Sequence, residues 1–301
     1  SLMGLIEKPG KVKPESKIIY QGKELTGYTE KKWNTFRGKE CSMVFQDALV
    51  SLNPTMKVGK QIAENLKNHE SSLSKEEIYQ KSLEMLKQTG VPDPEGCMNK
   101  YPHELSGGMR QRVMIACAMV THPQLLIADE PTTALDVTIQ AQIIALMEEL
   151  QEKLGMSIII ITHDLGVVAD MADEIIVMYA GGICERGDAD DIFYQPKHSY
   201  TRGLLNSIPK VRKSTERLVP IHGTPIDLLN LPPGCPFAPR CKEAMNICLR
   251  EHPEEWHIHG RHYASCWANA RDLLAESGEL KLTTNTNVSE TPADRETEAD
   301  S

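Results

Sequence analysis

The sequence is poor in aromatic residues, long apolar runs and clustered basic residues. It has 4 Phe and 3 Trp among 301 residues, and its apolar runs, such as 125–128 and 158–161, are far shorter than the roughly 20 residues of a membrane-spanning helix. Its 33 basic and 42 acidic side chains give a net charge of −9 without a Lys/Arg tract. The short apolar runs exclude a membrane span. Because neutralising phosphates requires clustered cations, we also exclude nucleic acid as a partner.

The two ends of the sequence differ from its middle. The sequence begins Ser1-Leu2-Met3, with neither an initiator Met nor a signal stretch, which favours a fragment of a longer cytosolic chain. The last residues are rich in Thr, Asn and carboxylates, so they cannot bury enough apolar surface to offset their ordering entropy. We therefore predict a disordered acidic tail over residues 276–301.

Strand and helix patterns alternate from residue 124 onward. The apolar run at 124–129 predicts a parallel strand buried on both faces. A helix capped by Asp136 follows and ends at Gly155. A second buried strand is predicted at 157–162, and two further strands flank the turn at 181–182. This order predicts an α/β fold with a mainly parallel sheet.

Two segments interrupt or follow this core. Helical spacing of apolar residues between about 50 and 120 predicts an inserted helical subdomain. After residue 205 the chain becomes rich in Pro and Cys. We therefore predict a first domain over residues 1–205 and a small cysteine-containing extension over residues 206–275.

Polar side chains that suit phosphate chemistry follow the predicted strands. Gln46 ends a strand with an amide that can ligate Mg²⁺ and sense a γ-phosphate. Asp129 and Glu130 form an acidic pair at the mouth of a buried strand, which is costly unless a cation or a polarised water satisfies them. We expect Asp129 to hold Mg²⁺ and Glu130 to polarise the attacking water. His163 ends the next strand, where it can contact the γ-phosphate and orient Glu130.

A glycine pair marks the start of another helix. Ser106, Gly107 and Gly108 precede a helical run that includes Gln111. Glycines at a helix start allow backbone N–H groups to approach an anion, and the helix dipole favours its negative charge.

The order of these motifs resembles the nucleotide-binding domain of ATP-binding cassette (ABC) transporters. Gln46, Ser106 of LSGG, Glu130 of ADEP and His163 of THD follow one another at spacings of 60, 24 and 33 residues. Three further segments, at 51–56, 101–113 and 234–241, are similar to the ATPases of oligopeptide and dipeptide importers.

This resemblance implies a P-loop NTPase-type fold, ATP and Mg²⁺ as cofactors, and ATP hydrolysis coupled to peptide transport. It implies that Ser106, Gly107, Gly108, Gln111 and Asp136 contact ATP across a boundary with a second ABC ATPase. The other implied partners are two permease subunits, contacted through residues 47–60, and indirectly an extracytoplasmic peptide-binding protein. The implied location is the cytoplasmic face of the cell membrane, as a peripheral protein.

The family's phosphate loop, G-x-x-x-x-G-K-[ST], is not found in these residues. The four Gly-Lys pairs are followed by Val12, Glu24, Glu40 and Gln61 instead of Ser or Thr. We expect residues 1–6 to end the helix that normally follows such a loop, and the 301 residues alone to hydrolyse little ATP.

Four of the eight cysteines crowd together as C-x₅-C-x₆-C-x₁₇-C: Cys235, Cys241, Cys248 and Cys266. Thiolates bind zinc or iron–sulfur clusters, and without C-x₂-C pairs this spacing does not name the metal. ATPases resembling this chain carry a [4Fe–4S] cluster here, so we favour the cluster over zinc and over unligated thiols. His257, His259 and His262 are alternative ligands, which we expect instead to face solvent.

Two other functions share these motifs. An ATPase of the same subfamily can serve an importer of nickel or another solute. A soluble, non-transport ABC ATPase of DNA repair or chromosome organisation shares the signature and the carboxylates, but no segment here sustains the heptads of its coiled coils.

Overall fold

A computed structural model describes residues 2–6, 9–133, 135–207 and 220–270. The chain divides into two compact units, Ser1–Met171 and Ala172–Ser301. Within the described ranges, every helix is too short or too polar to cross a lipid bilayer. The predicted acidic tail, residues 276–301, lies outside the described residues.

The N-terminal unit begins with a small hairpin and one helix. Strands β1 (Ile19–Tyr20) and β2 (Lys23–Glu24) pair antiparallel, and helix α1 (Glu30–Phe36) follows. Residues 2–6 form a turn and a bend followed by backbone without regular secondary structure, so the helix end that we expected there is not present in these five residues.

The centre of this unit is a parallel sheet of strands β3 (Cys41–Val44), β4 (Leu125–Asp129) and β5 (Ser157–Ile161), in that order. β4 is the central strand, and its side chains alternate between two apolar clusters. Leu126 and Ala128 pack with the helices on one face, whereas Ile127 packs with Trp33 and Phe36 on the other. The prediction that this strand is buried on both faces is confirmed.

Helices cover one face of the sheet and supply most of the core. Those between β3 and β4 fill the segment for which a helical insertion is predicted. They are α2 (Ala48–Ser51), α3 (Val58–His69), α4 (Lys75–Gln88), α5 (Pro94–Asn99) and α6 (Gly107–Met119). Those after β4 are α7 (Val137–Leu154) and α8 (Leu165–Met171). Asp136 caps α7 by accepting from the Ile139 N–H, and Gly155 ends it with a left-handed φ of 61°, as predicted.

One strand is less buried than its sequence predicts. The Ile residues of β5 indicate a fully buried strand, but Ile159 and Ile161 are 39% and 48% exposed. β5 is an edge strand among the described strands of this sheet, so it is covered less completely than β4.

The C-terminal unit contains an antiparallel sheet in the order β6-β7-β9-β8. Its strands are β6 (Glu174–Tyr179), β7 (Gly182–Asp188), β8 (Trp256–His259) and β9 (His262–Ala264). Helices α9 (Ala189–Tyr194) and α10 (Ser199–Asn206) follow β7. This sheet joins strands from both sides of the predicted boundary near residue 205, which itself stays a prediction.

Candidate functional site

Glu130 lies at the centre of a hydrogen-bonded group just beyond the end of β4. Its Oε2 accepts from Gln46 Nε2 at 2.8 Å and from Thr133 Oγ1 at 2.7 Å. Its Oε1 lies 3.2 Å from His163 Nδ1. The parallel register brings the ends of the three strands to one edge of the sheet, so residues far apart in sequence meet around a single carboxylate.

The backbone holds Glu130 in an unusual conformation. Its φ of +46° lies in the left-handed region, which costs a non-glycine residue about 1–3 kcal/mol and is typical of functional sites. Its N–H donates to the Ile161 carbonyl at 2.8 Å, and its own carbonyl accepts from the Thr133 N–H at 3.1 Å. This conformation turns the carboxylate towards Gln46 and His163.

The same hydrogen bonds favour the ionised form of the Glu130 carboxylate. Its pKa is lowered by the hydrogen bond from Thr133 above all, then by His163 and more weakly by Gln46, against a smaller opposing effect of burial. A carboxylate that stays charged at neutral pH can accept a proton from water.

Sequence reasoning missed Thr133. It follows Glu130 by three residues in E-P-T-T, and that spacing at a strand-to-loop turn was the available signal. Asp129, the expected Mg²⁺ ligand, is the half-buried last residue of β4 and pairs in register with Ile161. It therefore lies at the same sheet edge as Glu130.

The LSGG motif, residues 105–108, lies at the start of α6; we call it the signature segment. Ser106 is the N-cap residue, and its hydroxyl accepts from the Met109 N–H at 3.3 Å. Gly108 lies so close to Ile139 of α7 that an added Cβ would be 3.0 Å from its Cγ2. This glycine therefore allows α6 to approach α7 closely.

Gln111 links α6 to the loop that carries Glu130. Its side chain is 4% exposed, and its Nε2 donates to the Pro131 carbonyl at 2.6 Å. This bond ties the Gln111 side chain to the Glu130 loop of its own chain. The predicted contact of Gln111 with ATP across a subunit boundary stays a prediction. Asp136 is exposed and uses its carboxylate to cap α7; Ala134 of the same segment lies outside the described residues.

The clustered cysteines line one cavity in the C-terminal unit. Cys235, Cys241, Cys248 and Cys266 all border one pocket, together with apolar side chains that include Phe237. All eight cysteines of the sequence lie in the described ranges and are free thiols there. Burial raises the pKa of Cys235 and raises that of Cys266 to about 11, so at neutral pH these groups stay protonated unless a cation stabilises the thiolates.

Gly234 makes the approach of two of these cysteines possible. The Cys235 N–H donates to the Cys248 carbonyl at 2.8 Å. A Cβ built on Gly234 would lie 2.2 Å from that carbonyl oxygen and 2.7 Å from the Leu249 carbonyl carbon. Only glycine fits this crossing without moving the backbone.

The expectation for the three nearby histidines is correct for two and wrong for one. His257 and His259 on β8 are exposed, but His262 on β9 is fully buried. β8 is an edge strand of the described sheet, whereas β9 lies between β7 and β8, so its inward residues are covered.

Solved structures of similar fold define the class. The chain is similar to CbiO1 from Clostridium perfringens, part of an ABC transporter complex, with a TM-score of 0.53, 32% identity and coverage of 61% of this chain and 70% of that one. It is also similar to the dimeric ATP-binding cassette MJ0796 in a post-hydrolysis state bound to ADP and phosphate, with a TM-score of 0.52, 27% identity and coverage of 58% and 74%. The fold is therefore that of ABC ATPases.

Family models and curated relatives narrow the class. Residues 2–133 match the ABC transporter model, and residues 184–248 match the model of the oligopeptide/dipeptide transporter C-terminal region. The chain is 52% identical to the oligopeptide transport ATP-binding protein OppD of Bacillus subtilis, covering 89% of this chain and 75% of that protein. It is 51% identical to the dipeptide transport ATP-binding protein DppD of Lactococcus lactis, covering 89% and 76%. The chain belongs to the oligopeptide/dipeptide family of ABC transporter ATP-binding subunits.

Proposed function

We propose that this protein is the ATP-hydrolysing, energy-coupling subunit of an importer of oligopeptides or dipeptides. The observation that carries the chemistry is the single carboxylate, Glu130, held by Gln46, Thr133 and His163 at the carboxyl edge of a parallel sheet. The relatives named for peptide transport support the cargo class.

Each side chain of the group has a distinct task. Glu130 accepts a proton from the attacking water, and His163 contacts the γ-phosphate and holds Glu130 in orientation. Asp129 and Gln46 offer the oxygen ligands that Mg²⁺ prefers, so the donor set at this edge fits that ion. Mg²⁺ held by these two residues would neutralise part of the charge on the phosphates.

The signature segment serves a second ATPase subunit. The first N–H groups of α6 and the Ser106 hydroxyl suit an anion, because the positive end of the helix dipole lies there. We infer that Ser106, Gly107 and Gly108 contact the nucleotide of the partner, with Asp136 beside them. Gln111 supports the Glu130 loop of its own chain by donating to the Pro131 carbonyl. Closure of the two subunits then depends on the γ-phosphate.

The coupling surface lies directly after Gln46. Val50, in α2, is 83% exposed, so this segment presents an apolar side chain to a partner. We infer that residues 47–60 meet a permease subunit at the cytoplasmic face of the membrane, with the extracytoplasmic peptide-binding protein acting indirectly. Two permease subunits and a second ATPase complete the transporter.

Turnover requires a phosphate loop that these 301 residues do not include. A charge-assisted hydrogen bond contributes about 1.5–3 kcal/mol, so two missing phosphate contacts weaken ATP binding by roughly 10²–10⁴. We propose that the 301 residues alone are nearly inactive. A coupled-enzyme assay on residues 1–301 tests this proposal, and normal turnover would contradict it.

We propose an iron–sulfur cluster rather than zinc for the four clustered cysteines. Sulfurs that share one tetrahedral Zn²⁺ at about 2.3 Å lie about 3.8 Å apart. Among the described residues, no three of the four sulfurs approach one another within 4.8 Å. A [4Fe–4S] cluster spaces its ligands more widely because each thiolate binds a different iron. Anaerobic purification followed by iron, sulfide and zinc analysis tests the assignment, and zinc without iron would refute it.

The transport proposal is tested with the complex isolated from its native membrane and reconstituted in vesicles. We expect ATP hydrolysis to rise when the peptide-binding protein and short peptides are added together. Stimulation by Ni²⁺ but not by any peptide would instead assign the subunit to a metal importer.

A further inference from the structure

Three side chains of the C-terminal unit converge away from the cysteine cavity. They are Asp191 in the first turn of α9, His259 at the end of β8 and His262 at the start of β9. One carboxylate oxygen and one nitrogen from each ring all lie within 4.8 Å of one another. Gly187 of β7 permits this meeting, because a Cβ there would lie 3.3 Å from both Asp191 Cβ and His262 Cδ2.

His262 has one nitrogen with a partner and one without. The side chain is fully buried, and its Nε2 lies 2.8 Å from Glu185 Oε1. Glu185 is also fully buried and accepts from the Lys197 and His198 N–H groups at 2.5 and 3.0 Å. Because this carboxylate can only accept, Nε2 donates its N–H to Glu185, and Nδ1 is the ring nitrogen that has no hydrogen-bond partner among the described residues.

This is the arrangement of a histidine prepared for a metal ion. Ligating histidines donate their second ring N–H to a carboxylate, which fixes the tautomer and raises ligand basicity. Without an ion, a buried ring nitrogen is left without a partner, which is unfavourable. An ion pair between His259 and Asp191 alone would still leave His262 Nδ1 without a partner.

The spacing also suits a small tetrahedral ion. Ligand atoms about 2.1 Å from Zn²⁺ lie about 3.4 Å apart. Asp191 Oδ1 and His259 Nε2 are separated by 3.7 Å, and the His259 side chain is 48% exposed, so a small rotation closes the difference. Two imidazoles and one carboxylate select late first-row divalent ions over Mg²⁺ or Ca²⁺.

We propose that Asp191, His259 and His262 form a binding site for a zinc-type divalent ion that ties the β8–β9 hairpin to α9. Glu185 is the positioning residue, because it orients His262 without touching the ion. The site is separate from the cysteine cavity, whose lining includes none of these three ligands.

Co²⁺ is a probe that distinguishes this site from the cysteines. Cobalt bound to thiolates shows intense charge-transfer absorption in the near ultraviolet, whereas cobalt bound to nitrogen and oxygen shows only weak visible bands. The full chain is titrated with Co²⁺ as wild type, His259→Ala, Asp191→Asn and, as a matched control on the same strand, His257→Ala. His257 is exposed, and its Nε2 lies 3.1 Å from the Gly260 carbonyl.

Apart from any Co²⁺ bound by the cysteines, we expect one further Co²⁺ per wild-type chain with weak visible bands, displaced by Zn²⁺. His259→Ala should weaken this binding more than about 100-fold, since even outer-shell partners of a ligating histidine contribute about 10–100-fold. Zn²⁺ should raise the Tm of the wild type and the control, but not that of His259→Ala. Equal binding by His259→Ala and wild type, or cobalt spectra showing thiolate bands alone, would overturn the proposal.

Discussion

Replacing Gln111 with Met tests whether helix α6 holds the loop that carries Glu130. Met has nearly the same length and volume, so the substitution removes the donor without opening a cavity. The Pro131 carbonyl, which accepts from Gln111 Nε2 at 2.6 Å, then loses that donor at a position where the Gln111 side chain is 4% exposed.

The cost of leaving a buried polar group unsatisfied sets the magnitude. We expect the free energy of unfolding to fall by about 1–3 kcal/mol, measured by urea denaturation. Because Pro131 directly follows Glu130, which is held at a φ of +46°, a looser loop should also misalign the carboxylate. ATP hydrolysis by the native complex should therefore show a lower kcat with little change in KM.

A surface glutamine provides the control. Gln142 of α7 is exposed and accepts from Arg112 Nη2 at 3.3 Å, so Gln142→Met should change stability by less than about 0.5 kcal/mol. If Gln111→Met and Gln142→Met are equally stable and equally active, Gln111 does not support the Glu130 loop.

Three further predictions follow from single contacts. Thr133→Val removes the largest cause of the lowered pKa of Glu130, so the pKa rises and the acid limb of the kcat–pH profile moves to higher pH; Thr133→Ser should not move it. Glu185→Ala leaves three donors unpaired and should lower the free energy of unfolding by at least about 3 kcal/mol in urea. Gly234→Ala should abolish iron incorporation, whereas Gly182→Ala, whose added Cβ has its nearest neighbour at 3.7 Å, should retain it.

Local signals made the N-terminal unit largely predictable. An apolar run with a terminal carboxylate located β4, and an Asp cap and a Gly stop located both ends of α7. Parallel strands bring their carboxyl ends to one edge, so Gln46, Glu130 and His163 were expected to meet. These features depend on periodicity and capping, which the sequence displays directly.

Long-range pairing was not predictable from the same signals. Alternating residues identify a strand but not its partner. Nothing in β7 therefore indicated that Glu185 and Arg186 would pair with Ala264 and Tyr263 of β9, much further along the chain. The burial of His262 depends on that pairing and was missed for the same reason. The exposure of Ile161 likewise depends on which strand occupies an edge.

The most direct test of the central claim is ATP turnover by the native complex carrying Glu130→Gln. Glutamine keeps the shape of the side chain and can still bond to Thr133 and His163, but it cannot take a proton from water. We predict that hydrolysis falls by roughly 10²–10⁴, the usual contribution of a general base, while ATP still binds. Turnover within a few-fold of the wild type would show that Glu130 does not activate the attacking water.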